Sequence, residues 1–326
     1  MRRGKISENV LKRSVLKKIK THRKEVINGA AIGTDCAVLS FGEGYDVVLS
    51  TTPVMAPMKD IDTYAIHMAL NNIAAAGAEP VGVMLAILLP ERSEEKELQQ
   101  MMERAQDICH RCDTEIIGGH TEVTPAVEDP VMTVTGVGKR DSMQPNMFQG
   151  VEADQDIVIS KWIGLEGTIR LARERGDELC TRYPVRMVEE AAAYDRYLSI
   201  IPEAATAMKS GVCGMHDVSR GGVFGALWEL AQRAGVGLEI DLKKIPVKQE
   251  TIEICEFFGL NPYELLSGGC LIMTAKDGST LVEALEREDI PAAVVGRTTK
   301  SNDRVIYNDD EKRYLDRPKT DQIYCV

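Results

Sequence analysis

Two glycine pairs, each beside a histidine and a carboxylate, constrain this chain more than any other feature. The first lies in Gly118-Gly119-His120-Thr121-Glu122-Val123-Thr124-Pro125, the second in His216-Asp217-Val218-Ser219-Arg220-Gly221-Gly222. Adjacent glycines let backbone N–H groups approach a ligand closely, as phosphate sites require. His, Asp and Glu beside them supply proton transfer or metal ligation. Each pair is expected where a strand or turn meets the next element. The second opens a helix, whose N-terminus suits phosphate. Two such segments point to an active site built from both halves of the chain.

The pattern between them alternates strands and helices. Asp46–Thr51 reads as a strand, Ile61–Ala76 as a helix ended by Gly77, and Val81–Leu89 as an apolar strand buried on both faces. Glu94–Cys112 reads as a helix, Glu115–Ile117 as a short strand and Val131–Gly138 as another. Residues 139–153 lose periodicity and are the best linker. A second set follows: strand Asp156–Ser160, helices to about Met208, helix Gly222–Ala234, then strands at Gly237–Ile240, Cys270–Ala275, Ala292–Val295 and Arg304–Tyr307 around a helix at Gly278–Arg287. The class is α/β (α+β), with two domains over 1–148 and 149–326. Ser7 caps an expected first helix running to about Lys20.

A net charge of −11 argues against a nucleic-acid binder. Residues 1–24 run the other way, with ten Lys or Arg against Glu8 alone. They are either a solvated helix packed on an acidic body or a basic arm that closes over a polyanion such as a nucleoside triphosphate. The longest apolar run, Val81–Leu89, is far short of the roughly 20 residues a membrane span needs. The basic start leads into no uninterrupted apolar stretch, so no secretory signal is expected. Eight scattered cysteines fit reduced thiols in a cytoplasm. Cys109-His110-Arg111-Cys112 has C-x-x-C spacing, but it ends an amphipathic helix and has no second pair, so these read as core cysteines. His67 falls on the apolar face of its helix.

Further landmarks accompany the glycine pairs. Gly33-Thr34-Asp35-Cys36-Ala37 looks like a G-D-D-A-A loop, and Asn71-Asn72-Ile73-Ala74-Ala75-Ala76-Gly77-Ala78-Glu79-Pro80 like an N-D-I-A-A-x-G-A-x-P helix end. Ser160–Thr168 and Ser267-Gly268-Gly269 match others. In this order the segments resemble, over nearly the whole chain, the aminoimidazole ribonucleotide synthetase-like (PurM-like) superfamily, closest to its HypE-like hydrogenase maturation factors. The resemblance implies a PurM-like fold, with an N-terminal domain that dimerises and a C-terminal domain packed on it. It also implies ATP with Mg²⁺, and activation of a carbonyl- or thiocarboxamide-type acceptor, small or protein-borne, by phosphoryl transfer.

Carried over residue by residue, the resemblance makes Gly33, Asp35, Asn71, Asn72, Gly118, Gly119, Lys161, Gly221 and Gly222 nucleotide-binding candidates. Asp35 and Glu122 are the metal candidates, and His120, Glu122, His216 and Asp217 the catalytic ones. The departures bear on the metal. Where the pattern has Asp, this chain has Thr34, Thr52 and Asn72, and Mg²⁺ demands hard, preferably anionic oxygens. The tail also departs: Cys325 is penultimate and lacks the Pro-Arg-Ile context of the thiol carrier. The alternative reading is therefore a degenerate paralogue, a nucleotide-binding or scaffold homodimer without catalysis.

Overall fold

The computed structural model describes residues 26–28, 31–32, 34, 36–40, 42, 44–147 and 149–326. The expected helix from Ser7, the basic segment 1–24, and Gly33 and Asp35 lie outside them. The described residues form two compact units, one up to Gln144 and the other from Pro145 on, with Ala31–Thr34 clustering in the second.

In the N-terminal unit the strands are β1 (Val26–Asn28), β2 (Ala37–Ser40), β3 (Tyr45–Met55), β4 (Glu79–Leu89), β5 (Glu115–Val123) and β6 (Val131–Asp141). They form one sheet in the order β1-β2-β3-β6-β4-β5, in which β4–β5 is parallel and the other pairs are antiparallel. Helices α1 (Ile61–Ala75) and α2 (Glu95–Arg111) complete the unit. Every residue of α1 is buried, which its run of Ile, Ala, Leu and Met permits. Amphipathic α2 begins with a capping box between Glu94 and Glu97.

Three expectations need correction here. β4 is not buried on both faces. It alternates, and Val81, Met84 and Ala86 are exposed, because the described helices cover only one side of the sheet. Glu115–Ile117 does not stop at the first glycine pair; β5 runs straight through it to Val123. Residues 139–153 are not a free linker either. Lys139–Asp141 finish β6, and Met147 and Val151 are buried.

The C-terminal unit holds β7 (Asp156–Ser160), α3 (Leu165–Glu174), α4 (Gly176–Leu179), α5 (Val185–Ala192), α6 (Ile201–Lys209), β8 (Val212–Val218), α7 (Gly222–Ala234), β9 (Gly237–Asp241), α8 (Gln249–Phe258), β10 (Cys270–Ala275), α9 (Gly278–Glu286), β11 (Ala292–Thr299), β12 (Arg304–Asn308) and β13 (Glu311–Tyr314). The sheet order is β13-β12-β9-β11-β7-β10-β8, with β9–β12 parallel. Its core gathers Ile157, Ile159, Val218, Leu227, Leu238, Cys270 and Ile272 between the sheet and α7. A smaller cluster joins α3, α5 and α8 around Leu171, Val188 and Ile254.

Candidate functional site

In the N-terminal unit two of the three residues standing where acids were expected, Thr52 and Asn72, belong to a neutral hydrogen-bonded set. The Asn72 side-chain amide, on α1, donates to Ser50 Oγ at 2.9 Å and Thr52 Oγ1 at 3.4 Å, both on β3. The Cys36 thiol donates to the Asn72 carbonyl at 3.1 Å. Asn71 and Asn72 are both buried. An amide that donates to two hydroxyls presents N–H, not oxygen, to the space between α1 and β3.

The first histidine segment is elsewhere. β5 lies three strands from β3, roughly 14 Å at the usual ~4.8 Å spacing. It also shows another face. Register links Thr52 to Val134, Leu85 and Gly119 in one row facing the helices. His120 and Glu122 align with Ala86 and Leu88 and alternate to the opposite face. They are 71% and 57% exposed, with His120 Nε2 3.3 Å from Glu122 Oε2. Within this unit the structure thus does not bring His120 and Glu122 to Asn71 and Asn72. Gly118 and Gly119 sit inside an extended strand, not in a phosphate loop at its end. The Gly119 requirement is steric, since a Cβ there would stand 2.1 Å from the Leu85 carbonyl oxygen.

In the C-terminal unit the quoted landmarks converge. The β7–α3 turn (Gly164–Thr168), the β8–α7 turn (Ser219–Gly222) and the stretch Leu265–Gly269 close on one another. Gly164 N–H donates to Ser267 Oγ at 2.7 Å, Gly167 N–H to the Leu266 carbonyl at 2.9 Å, and Ser267 N–H to the Ser219 carbonyl at 3.3 Å. Gly221 and Gly222 both adopt positive φ, 89° and 63°, and open α7 as expected. The first amide is not vacant. Gly221 N–H donates to Asp321 Oδ2 at 2.6 Å, while Asp321 Oδ1 accepts from Leu266 at 3.2 Å and Ile323 at 2.9 Å. Burial pushes the Asp321 carboxyl up, against these N–H groups and Arg170.

Glu166 is buried in the same place and pairs with Arg170 at 2.8 Å. Burial raises its carboxyl, while Arg170 and Arg220 oppose the shift. A Cβ at Gly268 would come 2.4 Å from its carboxylate, which is why that position is glycine. Neither Glu166 nor Asp321 was read from the sequence. Glu166 stood inside a quoted segment, but nothing local marks Asp321.

Lys161, at φ 51°, directs Nζ to the carbonyls of Tyr197 at 2.7 Å and Ser199 at 2.6 Å and pairs with buried Glu203. Its donors are therefore engaged by the protein. His216 and Asp217 lie buried on β8, with His216 Nε2 3.5 Å from Glu229 Oε2 on α7. Asp217, Lys161 and Glu203 all act electrostatically on the Cys270 thiol, which burial drives far above its ordinary range. Cys325 is an exposed free thiol, and Cys109 is a buried core cysteine. Among the described residues no three His, Cys, Asp or Glu side chains gather as a metal site.

Two α+β units, each a sheet with helices and each carrying one glycine–histidine segment, define a two-domain protein with a glycine-lined turn cluster in its second half. The chain belongs to the AIR synthase related protein family: the N-terminal domain model matches residues 33–139 and the C-terminal domain model 152–308. It is 26% identical to a hydrogenase expression/formation protein of Methanocaldococcus jannaschii, over 98% of this chain and 96% of that protein. It is 29% identical to the carbamoyl dehydratase HypE of Rhodobacter capsulatus, over 82% and 77%. A crystal structure of HypE in complex with ATP superposes with a TM-score of 0.69 at 19% identity, covering 99% of this chain and 98% of that one.

Proposed function

We propose that the chain is an ATP-dependent HypE/PurM-like enzyme that activates a carbonyl- or thiocarboxamide-type group by phosphoryl transfer in metalloenzyme maturation. The observation that carries this reading is the convergence of three glycine-bearing turns around the first turn of α7. Similarity to hydrogenase-maturation proteins through both domains supports it. His120, with Glu122 beside it, holds or passes a proton at Nε2 on the sheet face that the described helices leave uncovered. His216 and Asp217 do the corresponding work in a dry setting.

Mg²⁺ does not fit the described residues. It needs several oxygen ligands, mostly anionic, in near-octahedral array. Ser50, Thr52 and Asn72 are neutral, and the Asn72 amide already donates to both hydroxyls. Glu122 is a single exposed carboxylate on the other face of the sheet. This neutral set favours a second reading, a nucleotide-binding or scaffold paralogue that does not turn over. Calorimetric titration with ATP, with and without Mg²⁺, followed by an ADP-release assay separates the two. Metal-dependent ADP release supports the enzyme; binding without release sinks it in favour of the paralogue.

We also propose that the protein works in the cytoplasm as a homodimer paired through the uncovered sheet face of the N-terminal unit. Tyr45, Met55 and Met84 are exposed there beside Thr51 and Ala86, and no described helix covers them. No disulfide joins any of the eight cysteines. No described helix is long and apolar enough to cross a membrane.

A further inference from the structure

Lys161 follows β7 directly, yet it is only 6% exposed. Its φ of 51° lies in the left-handed region, which disfavours any residue with a Cβ. A charged side chain that is buried on a disfavoured backbone is held there by what surrounds its head group.

A lysine ammonium has three N–H donors and no acceptor. Here the donors face three oxygens: the Tyr197 carbonyl at 2.7 Å, the Ser199 carbonyl at 2.6 Å and the carboxylate of Glu203 on α6. Backbone carbonyls converging on a compact positive charge are also how proteins replace the hydration shell of a monovalent ion. Glu203 is 2% exposed, and burial pushes its carboxyl up against the pull of Lys161. Without the ammonium, that carboxylate and the two carbonyls would lack a counter-charge and would draw in a proton or another cation.

The oxygens belong to a segment that backs the stretch 265–269. A Cβ at Gly269 would stand 2.6 Å from the Tyr197 carbonyl oxygen and 3.0 Å from Leu198 Cα. The oxygen that receives the ammonium is thus also the one Gly269 packs against. The residues flanking Lys161 grip the same two segments. Trp162 meets the Tyr197 ring edge-on at 5.2 Å, and Ser160 Oγ accepts the Leu271 N–H at 3.2 Å.

We propose that Lys161 is a positioning residue that serves as a built-in monovalent cation. Its ammonium ties residues 197–199 and Glu203 to the end of β7, and so sets the place of the stretch 265–269 in the turn cluster. What that cluster binds rests on the ATP reading; the internal cation does not.

The test is Lys161→Gly in the full chain. Glycine takes positive φ freely, so the ammonium is removed without backbone strain, and the N–H that donates to the Pro291 carbonyl at 2.7 Å is kept. Melting temperature and amide exchange are measured in potassium, ammonium and tetramethylammonium chloride at equal ionic strength. In tetramethylammonium, which is too large for the oxygens to enclose, the variant should melt below wild type. The amides of Leu266, Ser267 and Cys270 should then exchange faster, on the order of tenfold. Potassium or ammonium should restore most of both, while wild type is indifferent to the choice of salt. Adding Glu203→Gln should abolish the restoration, because the carboxylate that recruits the ion is gone. If wild type releases ADP, the variant's KM for ATP should rise in tetramethylammonium and recover in potassium, with kcat changing less. If wild type neither binds nor hydrolyses ATP, the ATP reading fails, and melting and exchange still decide the role of Lys161. A glycine variant that behaves alike in all three salts, or folds in none, overturns the proposal, as does restoration that survives Glu203→Gln.

Discussion

Asn72 shows how one residue redirects a site. An aspartate there would place a carboxylate against Ser50 and Thr52; the amide instead spends its N–H groups on their oxygens. Restoring carboxylates at Thr34, Thr52 and Asn72 together should lower the melting temperature without metal, since buried charges repel and lose hydration. On the paralogue reading the same variant should regain stability on adding Mg²⁺ and gain Mg²⁺-dependent ATP hydrolysis relative to the wild type. A variant indifferent to Mg²⁺ in both assays would show that these positions do not face a metal. Asp46 and Arg140 are a different case, a buried pair at 2.7 Å. Burial alone would raise the Asp46 carboxyl, but Arg140 and the Ser142 hydroxyl outweigh it and hold it below the ordinary carboxylate range. An acid with a lowered folded-state pKa contributes stability that is present above its unfolded value, near 3.9. That contribution is lost as pH falls through the lower folded value. Arg140→Met should cost about 3–5 kcal/mol at neutral pH in a urea melt, by leaving the Asp46 charge unpaired. Much of that penalty should vanish below about pH 4, when Asp46 is neutral.

At the scale of the element, β5 was the segment the sequence misplaced. Adjacent glycines next to a polar run read as a loop, yet the parallel ladder to β4 carries the strand through them. Gly119 is there because β4 passes too close for a side chain. Gly119→Ala is expected to destabilise the protein by about 1–3 kcal/mol and to raise amide exchange along β5 more than along β3. An unchanged exchange pattern would mean that the strand shifts to accommodate the methyl group. The second pair behaved as read, because Gly221 and Gly222 need positive φ to turn from β8 into α7. The difference is physical. A helix start leaves local signals in turn residues and in the apolar period that follows. An edge strand exposed along nearly its whole length leaves almost none.

At the scale of the whole molecule, the uncovered sheet face carries the dimer prediction. Met84 is 46% exposed in its middle. Met84→Glu, read by analytical ultracentrifugation, should shift the protein to monomer; a monomeric wild type would sink the pairing. The sequence by itself determined the two-domain α+β class, most helices, the strands of the C-terminal unit from Asp156 to Ser160 and Cys270 to Ala275, and family membership. Each of these rests on local periodicity or on short segments whose order survives without coordinates. Only the tertiary structure decided that His120 and Glu122 lie on the opposite sheet face from Asn72. It alone showed that Lys161 is held by Tyr197, Ser199 and Glu203, and that Asp321 closes the turn cluster. Those facts depend on strand register and on contacts between residues far apart in sequence, such as Gly221 and Asp321. Register flips every side chain with a shift of one residue, and no local pattern records which distant carboxylate will meet a given amide.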